Sequence, residues 1–418
     1  MFSKKIQICL GDEMMKRFSK FLFLLSEACG TLAASVYALI LSFIIQDLIK
    51  SQFINSLTGN LGLAISVIVS FFAGQAVDKK SPWKIIFFSD IILLPLILGL
   101  LFILNTPFSY KVIAIILVDI AVIVLGEFDS ISRPKYLRMI VSKSDLDSTI
   151  QYMNGIQTLF SIAGYLLVFL SIAFLPFNAY LVVILILYLV SGFSIFLLPK
   201  EPREHTDQVQ EDLHLVDGTK MVLRFLGNSK NNLVLHSTYI LYMLRNQLVM
   251  SLLIYRIGQL NKTFDKIHII GLGIVSGVGL GMFLNFLVSR MALARRKGFS
   301  NLLYTASVFF CLYIGRVREV ESFYLLGLSI GLIFGAGLPL FNLISSERLL
   351  LTPKEIIGRS TSTIRMLSIV FVFVTSIFLN VIDKAGLHSI YFDTSAFITL
   401  ITSFIFSKID FRYTNSRD

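Results

Sequence analysis

The feature that most constrains this chain is a series of long apolar runs, each bounded by charged residues. A helix needs about 20 residues to cross the hydrocarbon core of a bilayer. The runs lie near residues 19–47, 57–77, 84–104, 110–131, 151–174 and 178–198, and then near 233–255, 267–290, 300–315, 321–345, 361–383 and 388–407. Because backbone polar groups in lipid need internal partners, these runs predict about twelve transmembrane helices. The first run is long enough to form a tilted span.

The composition excludes a soluble enzyme. Of the 418 residues, 55% are hydrophobic and only 15% are charged, and the mean hydropathy is +0.78. A soluble domain carries about 25% charged residues and cannot bury this much apolar surface. The net charge of +11 does not indicate nucleic-acid binding, because the basic residues fall between the apolar runs rather than in one stripe. The three cysteines and five scattered histidines predict neither a disulfide framework nor a metal site.

The distribution of basic residues predicts the orientation. One set of loops and tails carries 27 lysines and arginines, against eight on the other side, and both termini belong to the richer set. Loops rich in Lys and Arg stay in the cytoplasm. We therefore expect both termini to be cytoplasmic and the number of spans to be even. The first residues mix acids and bases around a short apolar stretch, which is not the pattern of a signal peptide, and Met14 or Met15 could equally be the start.

A polar stretch divides the chain into two halves. It carries six charged residues between Glu201 and Asp212, which separates an N-terminal six-helix bundle at 1–198 from a C-terminal bundle at 232–418, with a cytoplasmic connector at 199–231. In each half the fourth span leads through a basic loop into the fifth, as SRPKYLRMIVSKSDLDSTIQYMNGIQTLF and as GLPLFNLISSERLLLTPKEIIGRSTSTIRMLS. Parallel six-helix repeats are typical of major facilitator transporters.

The loop after the second span carries a family resemblance. It reads GQAVDKKSPWK and resembles the major facilitator signature, in which an aspartate follows four residues after a glycine and precedes a basic cluster. A proline-tryptophan pair stands where the family usually has glycine. The following KIIFFSDIILLP, the segment between spans 4 and 5, and PLFNLISSERLLLTPKEIIGRSTSTI are similar to the macrolide-efflux branch of proton-coupled drug exporters.

This resemblance implies an all-α polytopic membrane protein with two pseudo-symmetric six-helix bundles, the major facilitator fold. It implies a transporter rather than an enzyme, with efflux of amphipathic drugs by proton antiport and hence drug resistance. We expect no cofactor besides the proton gradient, a small-molecule substrate and membrane lipids as partners, no nucleic acid, and a monomer. The implied location is the plasma membrane of a prokaryotic cell, with multiple spans.

The signature loop has a chemistry of its own. A glycine lets two helix ends approach closely, and an aspartate at the membrane surface can face a helix N-terminus or an arginine. The family implies a gate motif that closes the cytoplasmic side, with Asp78 against the start of span 11 near Gly358. The candidate residues of this motif are Gly74, Asp78, Lys79, Lys80, Lys84 and Arg359. The alternative is that these are ordinary charges that set topology.

Charged residues inside the spans are candidates for coupling, because an ionisable group at mid-membrane costs several kcal/mol. A carboxyl group in a poorly hydrated cavity can bind and release a proton near neutral pH. Glu27 and Asp119 are therefore candidates for proton coupling, and Arg245 is a candidate counter-charge or ligand for an anionic substrate. Buried ion pairs that set helix register are an equal alternative. For Asp90, Glu127, Asp129 and Arg365, which lie nearer the interface, this structural alternative is favoured.

Two further patterns qualify the resemblance. Drug antiporters usually carry an arginine within span 4 and a glycine four residues later, whereas LGEFDSISRP is acidic and its arginine comes late. Span 8 reads GLGIVSGVGLG. Because no strand precedes it, these glycines predict close helix packing rather than a nucleotide-binding loop.

Three functions remain open from the sequence. The first is export of amphipathic small molecules, and the second is export of an endogenous product such as a siderophore, a peptide or a lipid-like metabolite. The third is a membrane receptor or enzyme without transport, which no catalytic spacing of residues supports.

Overall fold

A computed structural model describes residues 12–49, 52–106, 110–141, 143–171, 174–200, 215–260, 267–316, 322–353, 356–384 and 389–409. Within these ranges every regular element is an α-helix. The first seven helices are α1 (Asp12–Ile49), α2 (Gln52–Lys79), α3 (Pro82–Asn105), α4 (Lys111–Ile140), α5 (Lys143–Ser171), α6 (Phe177–Leu197) and α7 (Leu215–Gly227). The next seven are α8 (Lys230–Leu260), α9 (Ile267–Ser289), α10 (Leu293–Arg316), α11 (Phe323–Gly335), α12 (Leu338–Leu351), α13 (Ile357–Lys384) and α14 (Ser389–Ser407).

Each of the twelve predicted spans coincides with helix, and the tenth is divided between two helices. By length and composition alone, six described segments are long and apolar enough to cross a membrane: Arg17–Ile45, Pro82–Asn105, Phe177–Leu197, Ile269–Ser289, Leu293–Arg316 and Phe323–Leu351. The predicted tenth span is broken at residues 336–337, before Pro339. A proline in the first turn of α12 needs no intrahelical hydrogen bond, so the chain can restart there at no cost.

The chain forms two compact units. The N-terminal unit contains residues 1–222 together with 352–366, and the C-terminal unit contains residues 223–351 together with 367–418. Helix α13 therefore contributes its first part to one unit and the rest to the other.

The N-terminal unit is built around α1, which packs against α5 and α6, while α3 packs against α4 and α6. Its main apolar cluster joins these helices through fully buried side chains such as Ile40, Ile97, Ile115 and Leu181. Phenylalanines on the outer faces remain exposed, as at Phe102. An apolar outer face is what a helix needs in contact with lipid. The interior of the bundle is therefore where polar residues gather.

The C-terminal unit contains an unusually close pair of helices, α9 and α11. A Cβ atom added at Gly281 would lie 2.1 Å from the Cα atom of Gly335, and one added at Gly277 would lie 2.5 Å from the backbone oxygen of Leu328. By contrast, a Cβ atom at Gly279 would meet nothing within 4 Å. The packing interpretation of this glycine run is confirmed for Gly277 and Gly281, because side chains there would push the two backbones apart.

Candidate functional site

The most prominent polar group of the N-terminal unit surrounds one arginine. Arg133 on α4 pairs with Glu27 of α1 at 3.0 Å, with Asp129 of α4 at 2.6 Å, and with Asp90 of α3 at 3.9 Å. We call these four residues the Arg133 cluster. Glu27, Asp90 and Arg133 are all at most 5% exposed. When every group is ionised, three carboxylates against one guanidinium leave a net charge of −2 in the interior of the unit.

Neutral groups complete the surroundings of the Arg133 cluster. The hydroxyl of Ser191 on α6 donates to Asp90 at 2.7 Å, and the amide of Gln157 on α5 donates to Glu27. Among the described residues, the Oδ1 atom of Asp129 is buried without a hydrogen-bond partner. A buried carboxylate oxygen that lacks a donor is costly as an anion, and binding a proton lowers that cost. The cluster can therefore hold a proton, and Asp129 offers an oxygen for it.

Asp119 lies apart from the Arg133 cluster. The hydroxyl of Tyr37 on α1 donates to its Oδ1 atom at 3.3 Å, and the residue is half-buried. Ten residues of α4 separate it from Asp129, which is about 15 Å along the helix axis. The structure thus brings Glu27 together with Asp90 and Asp129, and not with Asp119.

A second polar site joins α2 to the start of α13. The Oδ1 atom of Asp78 accepts from the backbone N–H of Gly358 at 2.8 Å, and its Oδ2 atom accepts from the N–H of Arg359 at 3.0 Å. The Nε atom of Arg359 also lies 3.1 Å from Oδ2. We call this arrangement the latch. It places a carboxylate on two backbone N–H groups in the first turn of a helix, where the helix dipole favours negative charge.

Two glycines make the latch sterically possible. A Cβ atom at Gly74 would lie 2.0 Å from Oγ of Ser362, and one at Gly358 would lie 2.5 Å from Oδ1 of Asp78. The ammonium group of Lys135 donates to the carbonyl of Asp78 at 3.0 Å and so fixes the end of α2. The lysines of the predicted motif, Lys79, Lys80 and Lys84, are exposed. The structure therefore positions Gly74, Asp78 and Arg359 at the latch, whereas the three lysines face outward.

A third site is an ion pair between α4 and α13. The Nε atom of Arg365 lies 2.8 Å from Oε2 of Glu127, and its Nη2 atom donates to Oε1 at 3.0 Å. The hydroxyl of Ser70 on α2 donates to Oε2 at 2.8 Å. Both oxygens of this buried carboxylate therefore accept a hydrogen bond, Oε1 from Arg365 and Oε2 from Ser70.

Arg245 in the C-terminal unit is a fully buried charged residue, with no exposed surface. Its guanidinium donates to Ser307 Oγ at 2.6 Å, to the carbonyl of Ile333 at 3.0 Å and to Asn246 Oδ1 at 2.8 Å, and it lies over the ring of Tyr304. Each of these described partners is neutral. The positive charge is therefore held by dipoles of its own unit, on α8, α10 and α11.

Sequence reasoning missed the role of Arg133 and the inclusion of Asp90. One signal was available, because Asp129 and Arg133 are four residues apart and therefore share a helix face. The pairing of Arg133 with α1 and α3 joins residues more than 40 positions apart, and no local spacing reveals it.

The comparisons with known proteins agree with this architecture. Residues 24–376 match the family profile described as Major Facilitator Superfamily. No curated protein matches the sequence.

Solved structures match over nearly the whole chain. A bacterial homologue of the iron transporter ferroportin, in an outward-facing state, has a TM-score of 0.71 at 14% identity and covers 94% of this chain and 99% of its own. The human organic anion transporter MFSD10 has a TM-score of 0.72 at 15% identity with the same coverages. The proton:xylose symporter XylE has a TM-score of 0.69 at 10% identity and covers 96% and 97%.

At these identities the likeness shows the fold, an all-α multi-pass membrane protein with two six-helix bundles. The profile match spans most of the sequence and is therefore sufficient to place the protein in a family. Members of this family are transporters, and the macrolide-efflux branch stays a prediction. The chain belongs to the Major Facilitator Superfamily.

Proposed function

We propose that the protein is a secondary active transporter that exports amphipathic small molecules by alternating access and proton antiport. The observation that carries this proposal is the Arg133 cluster, in which two buried carboxylates, of Glu27 and Asp90, and the partly buried carboxylate of Asp129 lie around a single arginine. A buried surplus of negative charge is unfavourable, and a proton is the smallest ligand that removes it. Proton binding therefore changes the stability of any conformation in which this cluster is buried.

The proposed cycle uses the cluster as a proton carrier. A proton enters from the outside when the cargo has left, lowers the negative charge, and favours the conformation that opens to the cytoplasm. Loss of the proton to the cytoplasm, followed by cargo binding, favours the return. Such a shift requires only that the two conformations bind the proton with different affinity. The proton gradient is the sole energy source, and no cofactor is proposed.

The latch contributes to the same cycle as the element that keeps the cytoplasmic side closed. Asp78 makes three contacts with the first turn of α13, two of them with backbone N–H groups. We assign the protein to the plasma membrane of a prokaryotic cell as a monomer, with both termini in the cytoplasm. The basic loops support this orientation.

The second candidate is export of an endogenous, anionic product. Arg245 favours it, because its described partners are all neutral and leave its positive charge uncompensated within the C-terminal unit. An anionic group of the cargo could approach this charge in another conformation. A siderophore, an acidic peptide or a lipid-like metabolite fits that chemistry.

Purified protein in proteoliposomes tests the main proposal. An outward-directed flow of protons should accompany uptake of cationic dyes or macrolides, measured with a pH indicator trapped in the lumen. Glu27→Gln should weaken the gradient-driven part of transport and leave equilibrium binding of the cargo intact. Transport that is equally fast with and without a pH gradient would contradict the proposal of proton antiport. Transport of anionic metabolites alone would favour the second candidate.

A further inference from the structure

Helix α13 begins in the N-terminal unit and continues in the other. Residues 352–366 pack with the N-terminal unit, whereas the chain from Leu367 onward packs with the C-terminal unit. We call residues 352–366 the docked segment. Three side chains of the N-terminal unit hold it by polar contacts, namely Asp78, Glu127 and Arg138. A helix shared in this way can report on events in either unit.

The Glu127 contact lies deeper than the latch. Six residues of α13 separate Arg365 from Arg359, which is about 9 Å along the helix axis. Glu127 is 5% exposed, so its charge depends on Arg365 for compensation. The Arg365 side chain is 42% exposed. Arg365 can therefore leave this contact and keep its charge in a hydrated position. Glu127 would stay buried without its counter-charge.

The Arg133 cluster begins close to this contact on the same helix. Asp129 follows Glu127 by two residues on α4, so their Cα atoms are about 5.4 Å apart, and Arg365 is bound to Glu127. When the cluster is fully ionised, its net charge of −2 attracts Arg365 in addition to the direct pair with Glu127. Proton uptake by the cluster reduces that attraction, and because the Arg365 side chain is 42% exposed, solvent screening keeps the change modest.

We propose that Arg365 is the residue through which proton binding at the Arg133 cluster releases the docked segment. This inference deepens the proposed function and rests on it for the identity of the coupling ion. With the cluster ionised, Arg365 holds the segment in place. With a proton bound, the remaining attraction is weaker and the segment leaves more often.

The contacts described for other charged groups near this site lie outside the Arg133 cluster. The groups with such contacts include Asp78, Lys135, Arg138 and Arg359. Asp78 and Arg359 pair with each other, and the remaining two donate to backbone carbonyls. Arg365 is thus a charged residue of the docked segment that also binds Glu127, two residues from the cluster on α4.

Release of the docked segment can be measured as the accessibility of a buried side chain on it. Ser362 is 3% exposed and packs on Gly74. The test uses Ser362→Cys in the full chain with its three native cysteines replaced by alanine, labelled by a hydrophilic maleimide in inside-out vesicles. Thiol chemistry itself depends on pH, so each rate is divided by that of Asn228→Cys, an exposed position in the connector.

The corrected rate should rise about threefold or more as the pH falls from about 8 to about 5, the change expected for loss of one partly exposed charge interaction. Arg365→Gln should give a high rate at every pH, because the attraction is already absent. Arg365→Lys retains the charge and should retain the pH response. The matched control is Asp393→Asn, which removes an exposed ion pair with Arg316 within the C-terminal unit and should match the parent.

Two results would overturn the inference: a parent rate without pH response, or Arg365→Gln with the response of the parent. Neither decides the proposed function, which the proteoliposome assay judges separately. If Arg365→Gln is not recovered in the membrane, Glu127→Gln makes the same test from the other side of the pair. A Glu127→Gln protein with the parent's rate and pH response would overturn the inference equally.

Discussion

Adding one methyl group at Gly281 should destabilise the C-terminal unit strongly. The new Cβ atom would lie 2.1 Å from Cα of Gly335, and its other near neighbours are also backbone atoms. An ordinary contact needs at least 3.4 Å, so α9 and α11 must separate by about 1.3 Å, the difference between these distances. Backbone cannot rotate away as a side chain can. Overpacking of this kind costs about 1–3 kcal/mol, and parting two packed helices also forfeits dispersion contacts along their length.

The matched control is Gly279→Ala, two residues away on the same helix. Its Cβ atom would meet nothing within 4 Å, so the substitution adds helix propensity without a clash. Thermal unfolding in detergent can be followed with a thiol-reactive dye, because Cys311 is fully buried in the same unit. A loss of about 1–3 kcal/mol corresponds to a fall in Tm of about 2–12 °C for a unit of this size. Equal Tm values for Gly281→Ala and Gly279→Ala would refute the close packing of α9 on α11.

Three further predictions concern the N-terminal unit and the orientation. Asp78→Asn leaves one acceptor for two backbone N–H groups and removes the ion pair, which should cost about 0.3–2 kcal/mol. Transport should fall severalfold while the protein still inserts into the membrane. Wild-type transport by this variant would mean that the motif only sets topology. Glu27→Gln and Asp119→Asn should each weaken proton-driven transport without affecting cargo binding. If both variants keep full gradient-driven efflux, the two acids have a structural role and do not carry the proton. A cysteine at Asn228 should resist an impermeant maleimide applied to intact cells, and efficient labelling there would reverse the predicted topology.

The sequence by itself determined the class of the protein and the positions of its helices. Apolar length is a local property, and a run of about 20 such residues has only one favourable conformation in lipid. The division at 199–231 stays a prediction from the polar stretch between the two halves, and the expected partner of Asp78 is what the family resemblance implies. The break at residues 336–337 lies just before Pro339, because proline fits the first turn of a helix but not its interior.

Only the tertiary structure decided which charges meet. Counting residues along a span gives depth but not direction, and so it grouped Glu27 with Asp119, whereas the fold pairs Glu27 with Arg133 and Asp119 with Tyr37. The same limit applies to the glycines of α9, where Gly279 faces open space and Gly281 touches a backbone. Helix rotation about its own axis depends on all neighbours at once, so the partners of a buried charge follow from packing and not from spacing.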